Sequence, residues 1–121
     1  MSMPKGSLAE LQAAVVRFRD ERDWMQFHNP KDLALSIAIE AAELMELFQW
    51  KDAEEIRAFL AEPGGKERAA EEMADVLILL LSAADAIGVD LHAATLGKIA
   101  VNARKYPVEK AKGNARKYDE L

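Results

Sequence analysis

The sequence predicts an all-α protein, a bundle of four principal helices with one additional short helix. Three observations predict it. Apolar residues recur at helical spacing through most of the chain, and no stretch alternates as a strand would. Helix-start residues stand ahead of those stretches, and Gly88 and Pro107 supply stops. With 121 residues, half of them hydrophobic, the chain is long enough for one core and short enough for oligomerisation to help it.

Ser7 and Glu10 form an S-x-x-E capping box, opening a helix that runs to about Asp23. The stretch QFHNP is a break. Asn29 caps the second helix with Pro30 at its first position, where a missing N–H does no harm. That helix runs to about Phe48 and is apolar almost all round, which predicts a central place in the fold. Asp52 and Glu55 open a short helix to about Leu60, and EPGG at 62–65 is a loop. A long helix follows from about Lys66 to Ile87, with Gly88 as its C-terminal stop. Asp90 caps a last helix ending near Tyr106, because Pro107 cannot continue it. The chain reads as a single domain over 1–121. Residues 1–6 are expected to be flexible, and 108–121 form a polar arm that is disordered or docks on something.

The net charge of −5 argues against a nucleic-acid polymer as partner, since phosphate backbones need clustered cations. It leaves room for a small phosphate ligand bound through metal. The absence of cysteine excludes disulfides, thiolate nucleophiles and Cys-based zinc sites. The longest apolar run, 76–81, is too short to span a bilayer, and MSMPKGS has no apolar core of a signal peptide. A cytoplasmic protein without membrane partners is the expectation.

Four acids stand out because their neighbours are apolar. Glu40 and Glu43 lie among Leu33, Ile37, Leu44 and Leu47, and Glu72 and Asp75 precede the run 76–81. Each pair is three residues apart, so on a helix the Cβ atoms lie roughly 5–6 Å from each other. A single E-x-x-E ordinarily marks a solvated helix face. Two such pairs on two core helices predict four carboxylates converging in an apolar-walled pocket, where each would raise the pKa of the others. A hard divalent cation resolves this, and all-oxygen ligation points to Mg²⁺ or Mn²⁺. A di-iron bundle expects Glu-x-x-His on two helices, and neither His28 nor His92 has a Glu three residues before it. Glu46, Glu54, Glu55 and Glu71 lack the apolar context and read as surface residues or supports of the site.

On the last helix Lys98, Asn102 and Lys105 share one face, adjoined by Arg104 and Tyr106. Two cations and an amide suit the oxygens of a polyphosphate. Taken alone, the helix dipole accounts for them at least as well. Trp24 and Trp50 each follow a helix end, where a ring can stack on a nucleobase or cap the core, and the core role is the commoner one. His28, in a loop, can reach a base or phosphate or serve as a turn residue; His92 reads as structural.

The segments ERDWMQFHNPKDLALSIAIEAAELMELFQW, EEMADVLILLL and KIAVNARKYP together resemble the MazG-like all-α nucleoside triphosphate pyrophosphohydrolases, and within them the dCTP pyrophosphatase branch. The resemblance extends from about Leu8 to the closing RKYDEL. It implies a MazG-like fold, a homotetramer built as a dimer of dimers, and sites completed by neighbouring subunits. It implies Mg²⁺-dependent cleavage of a (deoxy)nucleoside triphosphate, dCTP or a modified dCTP, to the monophosphate and pyrophosphate. By position, Glu40, Glu43, Glu72 and Asp75 match the metal ligands, and Trp24 and Trp50 the aromatic residues that hold the base. Lys98, Asn102 and Lys105 match the polar stripe around the nucleotide. Val15 and Leu79 depart from the vertebrate enzymes of this branch, which have histidine and tyrosine there at the nucleotide pocket, so the reaction is implied more specifically than the base.

The expected chemistry places the triphosphate on metal held by the four acids, with Glu43, or its neighbour Glu40, acting on the attacking water, and with metal, Lys98 and Lys105 offsetting the charge of the leaving pyrophosphate. Other expectations are an all-α hydrolase selective for dUTP, phosphoribosyl-ATP or another nucleotide, and a non-catalytic nucleotide-binding helical oligomer. The number of metals and the role of the 108–121 arm are not legible.

Overall fold

The computed structural model describes residues 6–121; apart from Gly6, the segment expected to be flexible lies outside the described residues. Those residues form six α-helices and two single turns of 3₁₀ helix, with no strand among them. The helices are α1 (Leu8–Glu21), α2 (Pro30–Glu46), α3 (Ala53–Ala61), α4 (Gly65–Ile87), α5 (Leu91–Lys105) and α6 (Val108–Ala111), the last a single turn inside the expected polar arm. The chain divides into two compact units, Met1–Gly88 and Val89–Leu121.

Side-chain caps set the starts. Ser7 accepts from the Glu10 N–H at 3.1 Å, but the Glu10 carboxylate bonds the Gly6 N–H rather than that of Ser7, so the expected reciprocal box is shifted by one residue. At α2, Asn29 accepts from the Asp32 N–H, and Pro30 follows directly. The Asp52–Glu55 box of α3 is complete in both directions. Asp90 caps α5 through the Ala93 N–H. At the far end of α4, Gly88 takes φ 74°, the left-handed conformation that terminates a helix without a Cβ penalty.

In the first unit α2 pairs with α4 along most of its length, and α1 and α3 also pack on α4. Leu81 of α4 is fully buried. Leu47, Phe59 and Ala69 form a smaller core with Leu44 and Phe48, tying the end of α2 to α3 and to the start of α4. Arg19, buried in α1, reaches α4 through Asp85 at 2.6 Å and also pairs with Asp20 at 2.9 Å.

The expectation that α2 is surrounded needs correction. Only Leu33 within it is buried, and Leu35, Ile39 and Met45 are exposed along one stripe. Its all-round apolarity therefore serves two surfaces: one face meets α4, and the other is left uncovered in the isolated chain.

In the second unit the arm is ordered against the end of α5. Tyr118 lies edge-on to Tyr106 at 6.2 Å, and the Lys105 ammonium sits 4.8 Å from the Tyr118 ring. No single helix among the described residues is long and apolar enough to cross a membrane.

Candidate functional site

The seam between α2 and α4 carries the site. On α2 it runs through Leu33, Ile37, Glu40, Leu44 and Leu47, and on α4 through Ala69, Glu72, Val76 and Leu79, all buried or half-buried. Glu40 and Glu72 thus occupy places where the helical repeat calls for apolar side chains. Glu43, almost a turn further along α2, joins them. Carboxylate oxygens of Glu40, Glu43 and Glu72 all lie within 4.8 Å of one another. One oxygen of Glu40 and one of Glu72, Oε2 in each, is buried without a hydrogen-bond partner. Asp75 lies outside this group of three, although its negative charge still acts on Glu40 and Glu72.

The picture of four buried acids in an apolar pocket is corrected in two ways. Glu43 and Asp75 are exposed, because α2 and α4 alone do not cover them. The open side of the cluster is a polar cavity of about 350 Å³, lined by Glu43, Glu46, Leu47, Lys51, Phe59, Arg68 and Glu72.

Electrostatics follow the geometry. Burial raises the Glu40 carboxyl above its ordinary value, and the neighbouring Glu43 raises it further; burial and then Glu43 do the same to Glu72. A hard divalent cation fits this donor set: three converging carboxylates, two of them with an oxygen that nothing in the chain satisfies. The raised carboxyls fix a sign for the metal-free protein. An acid whose folded pKa exceeds its unfolded value binds more protons folded than unfolded. Stability is therefore expected to fall as pH rises from about 4.5 through the raised values, and the loss is complete above them. Glu40→Gln should raise the melting midpoint in EDTA at pH 7 and flatten this pH dependence. Thermal unfolding of both proteins across that range checks it; parallel, superimposed profiles would refute it.

The aromatic and cationic candidates are placed as follows. Trp24 is half exposed, edge-on to Phe18 at 5.7 Å, and its backbone N–H donates to the Arg19 carbonyl. Trp50 is 85% exposed in the turn after α2, so capping the core is not its role. His28 is half-buried with Nδ1 unpartnered. Lys98, Asn102 and Lys105 are exposed on α5, and Tyr106 closes that helix through its N–H to the Asn102 carbonyl at 2.8 Å.

Lys51 and Arg68 were not singled out from the sequence, and Glu46 was read only as a surface or supporting acid. The available signal for two of them was helical spacing: Arg68 precedes Glu72 by one turn and Glu46 follows Glu43 by three, whereas Lys51, beyond the end of α2, has none.

Comparison with known proteins agrees with this architecture. Human dCTP pyrophosphatase 1 is 42% identical over 125 residues, covering 98% of this chain and 69% of that protein. The bovine protein of the same name is 44% identical over 117 residues, covering 95% and 68%. The crystal structure of a pyrophosphatase from Archaeoglobus fulgidus matches with a TM-score of 0.77 at 40% identity, over 88% of this chain and 98% of that one. Residues 35–121, which include all four acids of the seam, match the sequence model of one family, described as MazG-like. All-helical architecture and sequence agree over most of the chain, and it belongs to the MazG-like family.

Proposed function

We propose that this chain is a Mg²⁺-dependent pyrophosphohydrolase that cleaves a (deoxy)nucleoside triphosphate, dCTP or a modified dCTP by preference, to the monophosphate and pyrophosphate. The coarse part, hydrolysis of nucleoside triphosphates, rests on family membership and on relatives named dCTP pyrophosphatase. The observation that carries the metal is the seam itself, with three carboxylates within 4.8 Å and two orphaned oxygens.

Glu40, Glu43, Glu72 and Asp75 would hold Mg²⁺, or Mn²⁺ in its place. The bound ion offsets phosphate charge and acidifies water. Glu43 faces both Glu40 and Glu72 and also the open cavity, which suits it to orient the attacking water and accept its proton. The water oxygen bonds the α-phosphorus, the bond to the β-phosphate oxygen breaks, and pyrophosphate leaves with the electron pair. Lys98, Asn102, Lys105 and Tyr106 are assigned to the nucleotide, Trp24 and Trp50 to stacking on the base, and His28 to a hydrogen bond with a base or phosphate.

Base preference is the finer part of the proposal. Val15 lies in an apolar cleft of about 300 Å³ with Leu11, Ala14, Phe18 and Ile78, which offers shape and stacking but no hydrogen bond. We assign the uncovered stripe of α2 (Leu35, Ile39 and Met45) to contact with further copies of the chain in a homotetramer, a dimer of dimers, located in the cytoplasm. Nucleic-acid polymers and membranes are not among its partners on this reading.

A product assay tests the reaction. Canonical and modified nucleoside triphosphates are incubated with and without Mg²⁺, and the products are separated by ion exchange. Monophosphate plus pyrophosphate, lost with EDTA and restored by Mg²⁺, is the expected result. Nucleotide binding without turnover would overturn it in favour of a non-catalytic binding oligomer, and faster turnover of dUTP would overturn the cytidine preference.

A further inference from the structure

We propose that Lys51 and Arg68 form the seat of the two terminal phosphates of the substrate and retain the pyrophosphate after cleavage. The inference rests on the metal-dependent reading of the neighbouring carboxylates and adds two residues that this reading does not use.

Both cations line the cavity of about 350 Å³ that shares Glu43 and Glu72 with the carboxylate cluster. One buried ring places them. Phe59 is 8% exposed and held edge-on by Phe48 at 6.0 Å. The Lys51 ammonium lies 4.9 Å from the Phe59 ring centroid and the Arg68 guanidinium carbon 5.6 Å from it. Lys51 is fixed a second time, because its Nζ donates to the Leu47 carbonyl at 2.6 Å, at the end of α2. One of its three N–H groups is used there, leaving two for a ligand.

The charges are arranged for a bridging ligand. Glu43, Glu46 and Glu72 face the same cavity as Lys51 and Arg68, yet neither cation forms an ion pair with any acid among the described residues. A simple anion would be repelled by three carboxylates, and a metal ion alone has no use for two cations. A polyphosphate satisfies both ends: it shares the metal held by the acids and presents its remaining oxygens to Lys51 and to the planar donor fork of Arg68. The terminal phosphates fit best, because they depart together as a highly charged diphosphate, whereas the nucleoside monophosphate carries base and sugar that this charged cavity does not suit.

The test is calorimetric titration of inorganic pyrophosphate, in Mg²⁺, into the wild type, Arg68→Gln and Lys51→Met, with a deoxynucleoside monophosphate titrated in parallel. Each substitution should weaken pyrophosphate binding by about tenfold or more. Monophosphate affinity should stay at the wild-type value, and Arg68→Lys should recover part of the loss. Should Lys51→Met fail to fold because the Leu47 carbonyl loses its donor, Lys51→Arg and Arg68→Gln carry the test. Equal pyrophosphate affinity in wild type and Arg68→Gln would overturn the proposal, as would equal losses for pyrophosphate and monophosphate. Wild-type turnover combined with unchanged pyrophosphate affinity in the variants sinks this seat and spares the reaction. Pyrophosphate binding that depends on Lys51 and Arg68 in a protein that turns over no nucleotide sinks the reaction and keeps the seat.

Discussion

Glu43→Gln is expected to lower turnover by about 10²–10⁴-fold at saturating Mg²⁺. Glutamine keeps the length and shape of the side chain but cannot accept a proton as a carboxylate does, and it removes one negative charge from the proposed cation site. Two effects therefore combine, and a Mg²⁺ titration separates them. Weaker holding of the ion shifts the Mg²⁺ dependence to higher concentration, whereas loss of the proton acceptor leaves a low plateau that no amount of Mg²⁺ restores. In EDTA the same variant should melt no lower than the wild type. The charge of Glu43 raises both Glu40 and Glu72, so neutralising it relieves repulsion that the metal-free fold otherwise carries. Near wild-type turnover of Glu43→Gln would show that the attacking water is handled elsewhere.

The second large effect is structural, at the junction of α3 and α4. A Cβ added at Gly65 would lie 1.9 Å from the carbonyl oxygen of Phe59 and 3.0 Å from its carbon. Both atoms are backbone, so no side chain can swing aside, and α3 must move relative to α4. Gly65→Ala is expected to destabilise the protein by about 1–3 kcal/mol or more. For a chain of this size that lowers Tm by several degrees for each kcal/mol. The site should register the change too, because Phe59 places Lys51 and Arg68 and would be displaced with α3. Thermal unfolding checks the stability effect, and pyrophosphate titration checks the site. An alanine variant that melts with the wild type would show that the junction yields more easily than its geometry allows.

How much of this was legible in the sequence depended on whether a feature was local. The caps at Asn29, Asp52 and Asp90 and the stop at Gly88 could be read because each is a short-range signal with its own physical cause. Convergence of Glu40, Glu43 and Glu72 was readable because two acid pairs at helical spacing fall on two apolar helices, although Asp75 lies outside the cluster. Other features were set by tertiary packing. Lys51 stands beyond the last turn of α2, where periodicity carries no information, and the fold-back of α3 brings it to Phe59. Arg68, one turn before Glu72, has no distinguishing neighbour in the sequence, and only the cavity gives it a setting. The apolar circumference of α2 predicts a central place, but a sequence does not say which of two apolar faces meets its own fold. The ordering of the polar arm was equally hidden, since it involves Tyr118 meeting Tyr106 across twelve residues of chain.

Dilution is where the uncovered stripe of α2 makes itself felt. A surface carrying Leu35, Ile39 and Met45 at more than half exposure is costly to leave in water, and contact with a further copy lowers that cost only while copies meet. In the proposed assembly the apparent stability of each chain thus contains a term in total protein concentration. Melting curves recorded at one concentration describe that concentration alone, and specific activity in highly dilute assays reports the association equilibrium together with the chemistry.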